Sequence, residues 1–259
     1  MLSEKNMTGI QRREEMIRLI RAHGELTVKD MMDRFDVSDM TVRRDFHTLE
    51  QQGIVTLFYG GAKMREMQPA YPDFSLRQEK NHEGKRCIAL KASSYIKEND
   101  VIFLDASTTV QMMLSFIPTV RYTVITNSPA IIDTCMRMKN VQLHMAPGCY
   151  QDQYGGSLDH TTVEYLSRFH YDRAFFGTSA IEARFGVSGT GEIEAALKRS
   201  VWYNTDQSFL LFDHSKYGKR NLLKYNDIRD YNILLSDAKL DADARKAIRM
   251  QGGNLQICY

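Results

Sequence analysis

The sequence lacks any apolar run long enough to cross a membrane. Its longest apolar runs, such as Val101–Leu104 and Phe209–Phe212, have the length of a strand, whereas a membrane-spanning helix needs about 20 residues. The first residues contain no apolar stretch of the kind that secretory signals carry. We therefore expect a cytoplasmic protein.

Cross-links and metal sites are not indicated either. The four cysteines, at positions 87, 135, 149 and 258, include no C-x-x-C pair, and no histidine and cysteine cluster has the spacing of metal ligands. We expect reduced cysteines and no metal or cofactor. A chain of 259 residues buries a sufficient core without such supports.

The sequence also has little excess of one charge. It carries 34 Lys and Arg against 32 Asp and Glu, and 43% of its residues are hydrophobic. This composition is typical of a globular protein with one or two domains. Because the net charge is only +2, it does not by itself indicate a nucleic-acid partner.

The first 63 residues have the pattern of a winged helix-turn-helix. Apolar periodicity predicts a first helix, a second helix that Thr27 caps, and a third helix over residues 39–51 that Ser38 caps. The apolar side of the first helix is expected to consist of Ile10, Ile17, Leu19 and Ile20. A hairpin then turns at residues 60–61 and completes the motif.

The third helix separates apolar from polar residues. Val42, Phe46 and Leu49 share one face, which must pack on the first two helices. Arginines on the opposite, exposed face suit guanine edges and phosphates. The residues expected to bind DNA are Ser38, Met40, Thr41, Arg43, Arg44, His47, Thr48 and, in the hairpin, Lys63.

For the third helix alone, a second interpretation is equally good. Its arginines could form a solvated face and pair with Asp39 and Asp45. The first 65 residues carry 11 Lys and Arg against 10 Asp and Glu, so DNA binding requires that the cations gather on one face.

A family resemblance decides between these interpretations. Residues 12–62, RREEMIRLIRAHGELTVKDMMDRFDVSDMTVRRDFHTLEQQGIVTLFYGGA, closely resemble the amino-terminal domain of DeoR-type bacterial transcriptional regulators. The specific parts are VSDMTVRRD, LEQQG and YGGA. The resemblance implies sequence-specific binding to a double-stranded DNA operator.

The rest of the chain alternates apolar runs with helical periodicity. Strands are predicted at 101–104, 122–126, 141–146, 174–176, 209–212 and 231–235. Helices are predicted over 76–96 and 192–203, with a glycine-containing loop at 186–191. This alternation predicts a larger α/β domain with a mostly parallel, doubly wound sheet.

A hydroxyl-rich turn follows the first of these strands. Residues 105–109, Asp-Ala-Ser-Thr-Thr, lead into a helix that is expected to begin near Val110. Free amides, the helix dipole and hydroxyls converge on an anion at such a turn. Simple helix capping by Ser107 or Thr108 explains the same residues equally well.

Polar residues also follow the other strands. Because the carboxyl ends of parallel strands form the binding crevice, we expect these residues to line one pocket. They are Asp105, Ser107, Thr108, Thr109, Asn127, Thr178, Asp213 and Lys216.

This second part also resembles the DeoR-type family over essentially its whole length. The matching segments are KRCIA, IFLDASTT, ITNS, FFGTS and DHSKYG, with Glu194 and Lys198 on one helix. The resemblance implies a fold related to ribose-5-phosphate isomerase and CoA transferases, and a sensor of phosphorylated sugars or related metabolites. It further implies that 107–109 hold a phosphate and that four residues surround the polyol: Asn127, Glu194, Asp213 and Lys216.

Two positions depart from the family pattern. Ser107 stands where the family more often has glycine, and Pro147-Gly148 stands where it often has two glycines. Gly148 and Lys198 complete the set of residues expected to bind the effector.

Together these observations predict a DNA-binding domain at 1–63, a linker at 64–75 and an effector-binding and oligomerisation domain at 76–259. The predicted function is transcriptional regulation, favouring repression, of carbohydrate metabolism genes under the control of a phosphorylated sugar or related metabolite. We expect a homo-oligomer, a dimer or a tetramer, because one small helix-turn-helix buries little surface on DNA.

We do not expect an enzyme, but two alternatives stay open at this point. One is a sugar-phosphate isomerase-like enzyme tethered to DNA, with Glu194 or Asp213 as the general base. The other is a DNA-binding oligomer that responds to no ligand.

Overall fold

The structure, a computed structural model, describes residues 7–51, 54–64 and 74–259. The chain divides into two units, Met1–Ala70 and Tyr71–Tyr259. Most of the predicted linker, residues 65–73, lies outside the described residues. Within the described ranges, none of the helices combines the length and apolar character that crossing a membrane requires.

The first unit is a winged helix-turn-helix, as predicted. Its elements are α1 (Gly9–His23), β1 (Glu25–Thr27), α2 (Val28–Phe35), α3 (Asp39–Gln51), β2 (Val55–Phe58) and β3 (Gly61–Met64). β3 pairs antiparallel with both β2 and β1. The sequence did not predict β1, because a strand of three residues is too short to show a period.

Local hydrogen bonds explain where the helices of this unit begin. The Asp30 amide donates to the Thr27 hydroxyl at 3.1 Å, and the Thr41 amide donates to the Ser38 hydroxyl at 3.3 Å. Both predicted caps are therefore confirmed. In the hairpin, Gly61 is required by close approach, because a Cβ there would lie 2.4 Å from the Leu26 carbonyl oxygen.

The core of the first unit follows the predicted face of α3. Val42, Phe46 and Leu49 are all buried. One prediction for α1 was wrong: Ile10 is 65% exposed. It lies in the first turn of the helix, and Met16 occupies the buried side instead.

The second unit contains strands and helices in alternation. Its strands are β4 (Val101–Leu104), β5 (Tyr122–Thr126), β6 (Val141–Met145), β7 (Tyr150–Gln151), β8 (Gly156–Ser157), β9 (Tyr171–Gly177), β10 (Ala180–Glu182), β11 (Gly186–Gly189), β12 (Thr205–Leu211), β13 (Leu223–Asn226), β14 (Ile233–Asp237) and β15 (Leu255–Cys258). Its helices are α4 (Phe74–Glu79), α5 (His82–Ser93), α6 (Thr108–Met112), α7 (Pro129–Cys135), α8 (His160–Leu166), α9 (Glu192–Tyr203) and α10 (Ala242–Met250). Short 3-10 helices lie at Met113–Ser115, His214–Lys216 and Ile228–Asp230.

Seven parallel strands form the central sheet, in the order β15-β14-β12-β9-β4-β5-β6. Alternate residues of each strand point to opposite faces, so Phe103 and Phe176 join α8, α9 and α10 in one core. Ile102 and Phe175 join α5, α6 and α7 in the other core. The predicted doubly wound parallel sheet is confirmed.

The strand order places a crevice between β4 and β9. From β4 the chain proceeds outward through β5 and β6, and it then returns to place β9 on the other side of β4. Ligands bind outside the carboxyl ends of the strands at such a reversal. The residues that follow β4 and β9 are therefore those best placed to meet a ligand.

Two element predictions were wrong in this unit. The helix predicted over 76–96 is divided into α4 and α5, because Asn81 adopts a left-handed backbone with φ of 54°. The loop predicted at 186–191 contains β11, the middle strand of a small antiparallel sheet with β10 and β13. α6 also begins at Thr108, slightly earlier than expected.

Candidate functional site

The polar face of α3 is open to solvent. Met40 is 80% exposed, and Arg43, Arg44 and His47 are also exposed. Thr41 and Thr48 are half-buried at the flanks, as their positions predict, and Ser38 is exposed at the cap. This face is available to a macromolecule because the opposite face holds the core.

The two arginines of this face have different surroundings. The Arg43 Nε donates to Asp39 Oδ1 at 2.6 Å, and this hydrogen bond lowers the pKa of Asp39. Among the described residues, Arg44 has no ion-pair partner. The hydrogen-bond donors of the Arg44 guanidinium are therefore available to DNA. Arg43 can contact DNA only if it shares its guanidinium with Asp39 or breaks its hydrogen bond to Asp39.

Asp45 does not pair with the arginines of α3 but with two arginines of another helix. It is 1% exposed and accepts from Arg12 Nε at 2.7 Å and from Arg13 Nη1 at 3.0 Å. Both arginines belong to α1, so the interpretation in which Asp45 neutralises the arginines of α3 was wrong. The contact fixes how α3 is oriented on α1.

The hairpin brings further residues to the exposed surface. Tyr59, in the turn between β2 and β3, is fully exposed, and Lys63 of β3 is exposed. The pKa of Arg43 is raised by its hydrogen bond to Asp39, with a smaller contribution from the charge of Tyr59. Both hairpin side chains are therefore available to a macromolecule.

In the second unit, buried charged groups form a hydrogen-bonded network in the crevice between β4 and β9. The Gly177 amide donates to Asp105 Oδ2 at 2.8 Å, and Lys198 Nζ donates to the same oxygen at 3.1 Å. Lys198 Nζ also donates to the Gly177 carbonyl at 2.5 Å. Asp105 therefore ties the end of β4 to the end of β9, and Lys198 reaches both from α9.

Two buried oxygen acceptors beside this network lack hydrogen-bond donors among the described residues. Glu194 is 5% exposed; its Oε1 lies 3.5 Å from Lys198 Nζ, but its Oε2 accepts no hydrogen bond. Asn127 donates from Nδ2 to the Ser157 carbonyl at 2.8 Å, while its Oδ1 has no partner. Buried polar atoms are rarely left unsatisfied, so these two oxygens mark a place for a ligand with donor groups.

Burial dominates the charge state of Glu194. It raises the pKa of this carboxyl, Lys198 opposes the shift, and Asp105 adds to it. Ionising this carboxyl therefore costs stability, and titratable groups shifted in this way are typical of functional sites.

One cavity collects these groups. It is lined by Arg77, Asp105, Ala106, Ser107, Asn127, Tyr154, Leu158, Glu194, Leu197 and Lys198. Five of the predicted effector residues therefore meet here: Asp105, Ser107, Asn127, Glu194 and Lys198.

The other predicted effector residues lie elsewhere. The Thr178 hydroxyl accepts from Tyr225 at 2.9 Å and donates to the Ala180 carbonyl. Thr108 borders a separate groove, and Thr109 is buried outside the cavity lining. Gly148 lies against α8, where a Cβ would be 2.1 Å from the Thr162 hydroxyl.

Asp213 and Lys216 belong to a charged cluster next to Arg77. Burial lowers the pKa of Lys216, Asp213 opposes the shift, and the charge of Arg77 adds to it. Burial also lowers the pKa of Lys85 to about 8, again against Asp213. Arg77, Lys85 and Lys216 therefore lie within electrostatic reach of one another, and three cations in one region favour an anion.

Sequence reasoning missed Arg77 and Lys85. Lys85 shares the buried side of α5 with Ile88, Ala89 and Ala92. A lysine among apolar residues on one helix face was the feature of the sequence that could have identified it. Arg77 showed none, because its cavity partners are distant in sequence. Within the described ranges, no group of His, Cys, Asp and Glu could hold a metal.

Comparison with known families matches both units. The DeoR-like helix-turn-helix domain matches residues 12–68, and the DeoR C terminal sensor domain matches residues 80–238.

Individual relatives match nearly the whole chain. It is 29% identical over 235 residues to the L-fucose operon activator of Haemophilus influenzae, covering 91% of this chain and 94% of the relative. It is 29% identical over 237 residues to the lactose phosphotransferase system repressor of Staphylococcus epidermidis, covering 89% and 93%. Among solved structures, ribose 5-phosphate isomerase A of Methanocaldococcus jannaschii is 19% identical, covering 54% of this chain and 56% of that chain with a TM-score of 0.38.

Proposed function

This chain belongs to the DeoR family of DNA-binding transcriptional regulators, and we propose that it represses carbohydrate metabolism genes in the cytoplasm under the control of a phosphorylated sugar or related metabolite. The observation that carries the proposal is the cavity with two unsatisfied buried acceptors, Glu194 Oε2 and Asn127 Oδ1, beside a cluster of cations. Relatives named for fucose and lactose systems support a carbohydrate-related effector, and the lactose relative supports repression.

The polyol part of the effector would occupy the side of the cavity near α9. Sugar hydroxyls both donate and accept, so they can satisfy Glu194 Oε2 and Asn127 Oδ1 at once. Lys198 and Asp105 stand beside them as donor and acceptor. A purely anionic ligand without hydroxyls would leave both acceptors unsatisfied, which is costly in a buried site.

The phosphate would lie toward the cationic side. Arg77 lines the cavity, and Lys216 lies within electrostatic reach of Arg77. Of the predicted turn, Ser107 borders the cavity and its hydroxyl also accepts from the Val110 amide at 3.3 Å. We propose that Ser107 and these cations hold the phosphate, with the amides of 108–109 at its edge.

The DNA-binding surface would be the exposed face of α3 with the hairpin. We propose that the operator is contacted by Ser38, Met40, Thr41, Arg43, Arg44, His47, Thr48 and Lys63. Because one small recognition helix reads few base pairs, we also propose at least a dimer that binds two half-sites about one or more helical turns apart.

We expect the full-length protein to bind a sugar phosphate and to discriminate strongly against the same sugar without its phosphate. Charged hydrogen bonds contribute about 1.5–3 kcal/mol each, so losing the phosphate should weaken binding by roughly 10- to 100-fold or more. Isothermal titration of pentose and hexose phosphates against their parent sugars measures this. Lys216→Ala should erase much of the difference, whereas Lys246→Ala, an exposed lysine of α10, should not. Equal binding of a sugar and its phosphate by the wild type would refute the phosphate assignment.

A further inference from the structure

α4 is a short helix that other parts of the second unit hold over the effector cavity. It has six residues, too few for a helix that is stable by itself in water. Arg77 of α4 is buried, lines the cavity, and donates from Nη2 to the Gln153 carbonyl at 2.7 Å. This hydrogen bond joins α4 to the segment between β7 and β8.

The first residue of α4 strengthens the same attachment. Gly155 has φ of 72°, and a Cβ there would lie 2.2 Å from the Phe74 ring. Phe74 therefore packs directly on the Gly155 backbone. The Arg77 guanidinium also lies over the Phe74 ring, 5.3 Å from its centroid, so the two side chains form one contact with residues 153–155.

The far end of α4 is held from α5 and from the cluster around Asp213. Lys85 Nζ donates to the Arg77 carbonyl. Asn81, whose left-handed backbone separates α4 from α5, donates from Nδ2 to Asp213 Oδ1 at 2.8 Å. The position of α4 therefore depends on tertiary contacts made by charged and polar groups at the edge of the cavity.

Arg77 is the part of this attachment that a ligand can change. One of its partners, the Gln153 carbonyl, is neutral, and a phosphate or carboxylate of the ligand is a stronger acceptor for a guanidinium. α4 is also the first described element of the second unit after the DNA-binding unit. A shift of α4 therefore occurs in the part of the second unit that is nearest in sequence to the helix-turn-helix.

We propose that Arg77 is the residue that couples the effector to the operator: the anionic group of the ligand takes the guanidinium from the Gln153 carbonyl, and α4 moves with it. The proposal rests on the proposed function for the identity of the ligand. The coupling through α4 does not depend on the proposed function, because breaking the attachment of α4 by mutation should change operator affinity without any ligand.

The test compares Arg77→Leu, Phe74→Ala and the exposed control Arg184→Leu in the full-length protein. An operator duplex is first selected from a random library by the wild type. Hydrogen exchange of residues 74–81 and 150–156 is then measured without ligand, together with operator affinity. We expect Arg77→Leu and Phe74→Ala to accelerate exchange in both segments at least tenfold and to change operator affinity at least fivefold, the lower range of allosteric coupling.

Binding of ribose 5-phosphate, glucose 6-phosphate and fructose 1-phosphate separates the two roles of Arg77. Phe74→Ala should bind the sugar phosphate that the wild type binds, because the guanidinium is retained, whereas Arg77→Leu should lose this binding. Arg77→Lys should bind it weakly, and it serves as the second variant should Arg77→Leu not fold.

Wild-type exchange and operator affinity in both Arg77→Leu and Phe74→Ala would overturn the inference. A different pattern separates it from the proposed function. If the two variants change operator affinity while no sugar phosphate binds the wild type, the coupling through α4 stands and the sugar-phosphate assignment fails.

Discussion

Asp45→Ala should lower the free energy of unfolding of the DNA-binding unit by about 3–5 kcal/mol, the cost of removing one partner from a buried ion pair. The carboxylate accepts from Arg12 and Arg13, and Arg12 is itself buried. Alanine would leave at least one guanidinium buried without its counter-ion. Such a loss is comparable to the whole stability of many small domains, so we expect operator binding to be lost with it.

Hydrogen exchange of α1 and α3 in the full-length protein, followed over increasing urea, measures this effect in the first unit. Asp39→Ala is the matched control, because the Asp39–Arg43 pair lies on the same helix but is exposed at both ends. Exposed pairs contribute about 0–1 kcal/mol. If Asp45→Ala costs no more than Asp39→Ala, the contact with α1 does not hold α3 in place.

The double variant Arg43→Ala, Arg44→Ala should weaken operator binding by at least about 30-fold, since each arginine contact is worth about 1–3 kcal/mol. The fold should be preserved because both side chains are exposed and neither belongs to the core. Arg44→Ala should be the more harmful single change. Arg43 must give up some of its contact with Asp39 to bind DNA, so its net contribution is smaller.

Footprinting and equilibrium binding on the selected operator measure this prediction, with Arg137→Ala, Arg168→Ala as a control pair on the surface of the second unit. The wild type should protect two half-sites. A variant that loses affinity for all sequences alike has lost a phosphate contact, and one that relaxes a single position has lost a base contact. A wild-type footprint from the double variant would show that α3 is not the reading helix.

The first unit could be predicted well because its signals are local. Thr27 and Ser38 cap the helices that follow them, and the period of Val42, Phe46 and Leu49 alone identifies the buried face of α3. The partner of Asp45 could not be predicted in this way. A carboxylate beside two arginines in sequence suggests pairing within the helix, whereas the burial of Asp45 directs it to α1.

The sheet of the second unit could also be predicted from the sequence, but only some of the residues that line its cavity could be. Apolar runs located the strands, and the rule for strand ends brought Asp105 and Asn127 to one crevice. The same rule included Thr178, whose hydroxyl is occupied by Tyr225. The direction of a side chain at a strand end depends on packing across the sheet, which the sequence of one strand does not contain.

The break at Asn81 explains why the cationic side was missed. A continuous helix over 76–96 would hold Arg77 and Lys85 apart along the same straight helix. The left-handed residue at 81 instead separates α4 from α5, Lys85 donates to the Arg77 carbonyl, and Arg77 donates to the Gln153 carbonyl. Asparagine tolerates this backbone better than most residues, but helical periodicity on both sides concealed it.

A substitution of Glu194 should remove the response to the ligand without weakening the fold. Because burial raises its pKa, the folded state binds a proton more tightly than the unfolded state does. Its contribution to stability therefore falls as the pH rises from its ordinary value of 4.5 through the raised pKa. Glu194→Gln removes the titrating group and keeps the size of the side chain, so the variant should fold at least as well as the wild type.

The most direct test of the account titrates the operator complex of the wild type and of Glu194→Gln with a sugar phosphate and with its parent sugar, followed by fluorescence anisotropy. For the wild type, the sugar phosphate should change operator affinity by at least about fivefold and the parent sugar should not. Glu194→Gln should bind the operator as the wild type does but lose the response, since a carboxylate acceptor contributes about 1.5–3 kcal/mol to ligand binding. A wild-type operator complex that no sugar phosphate affects, or a Glu194→Gln variant that responds as the wild type does, would contradict the account.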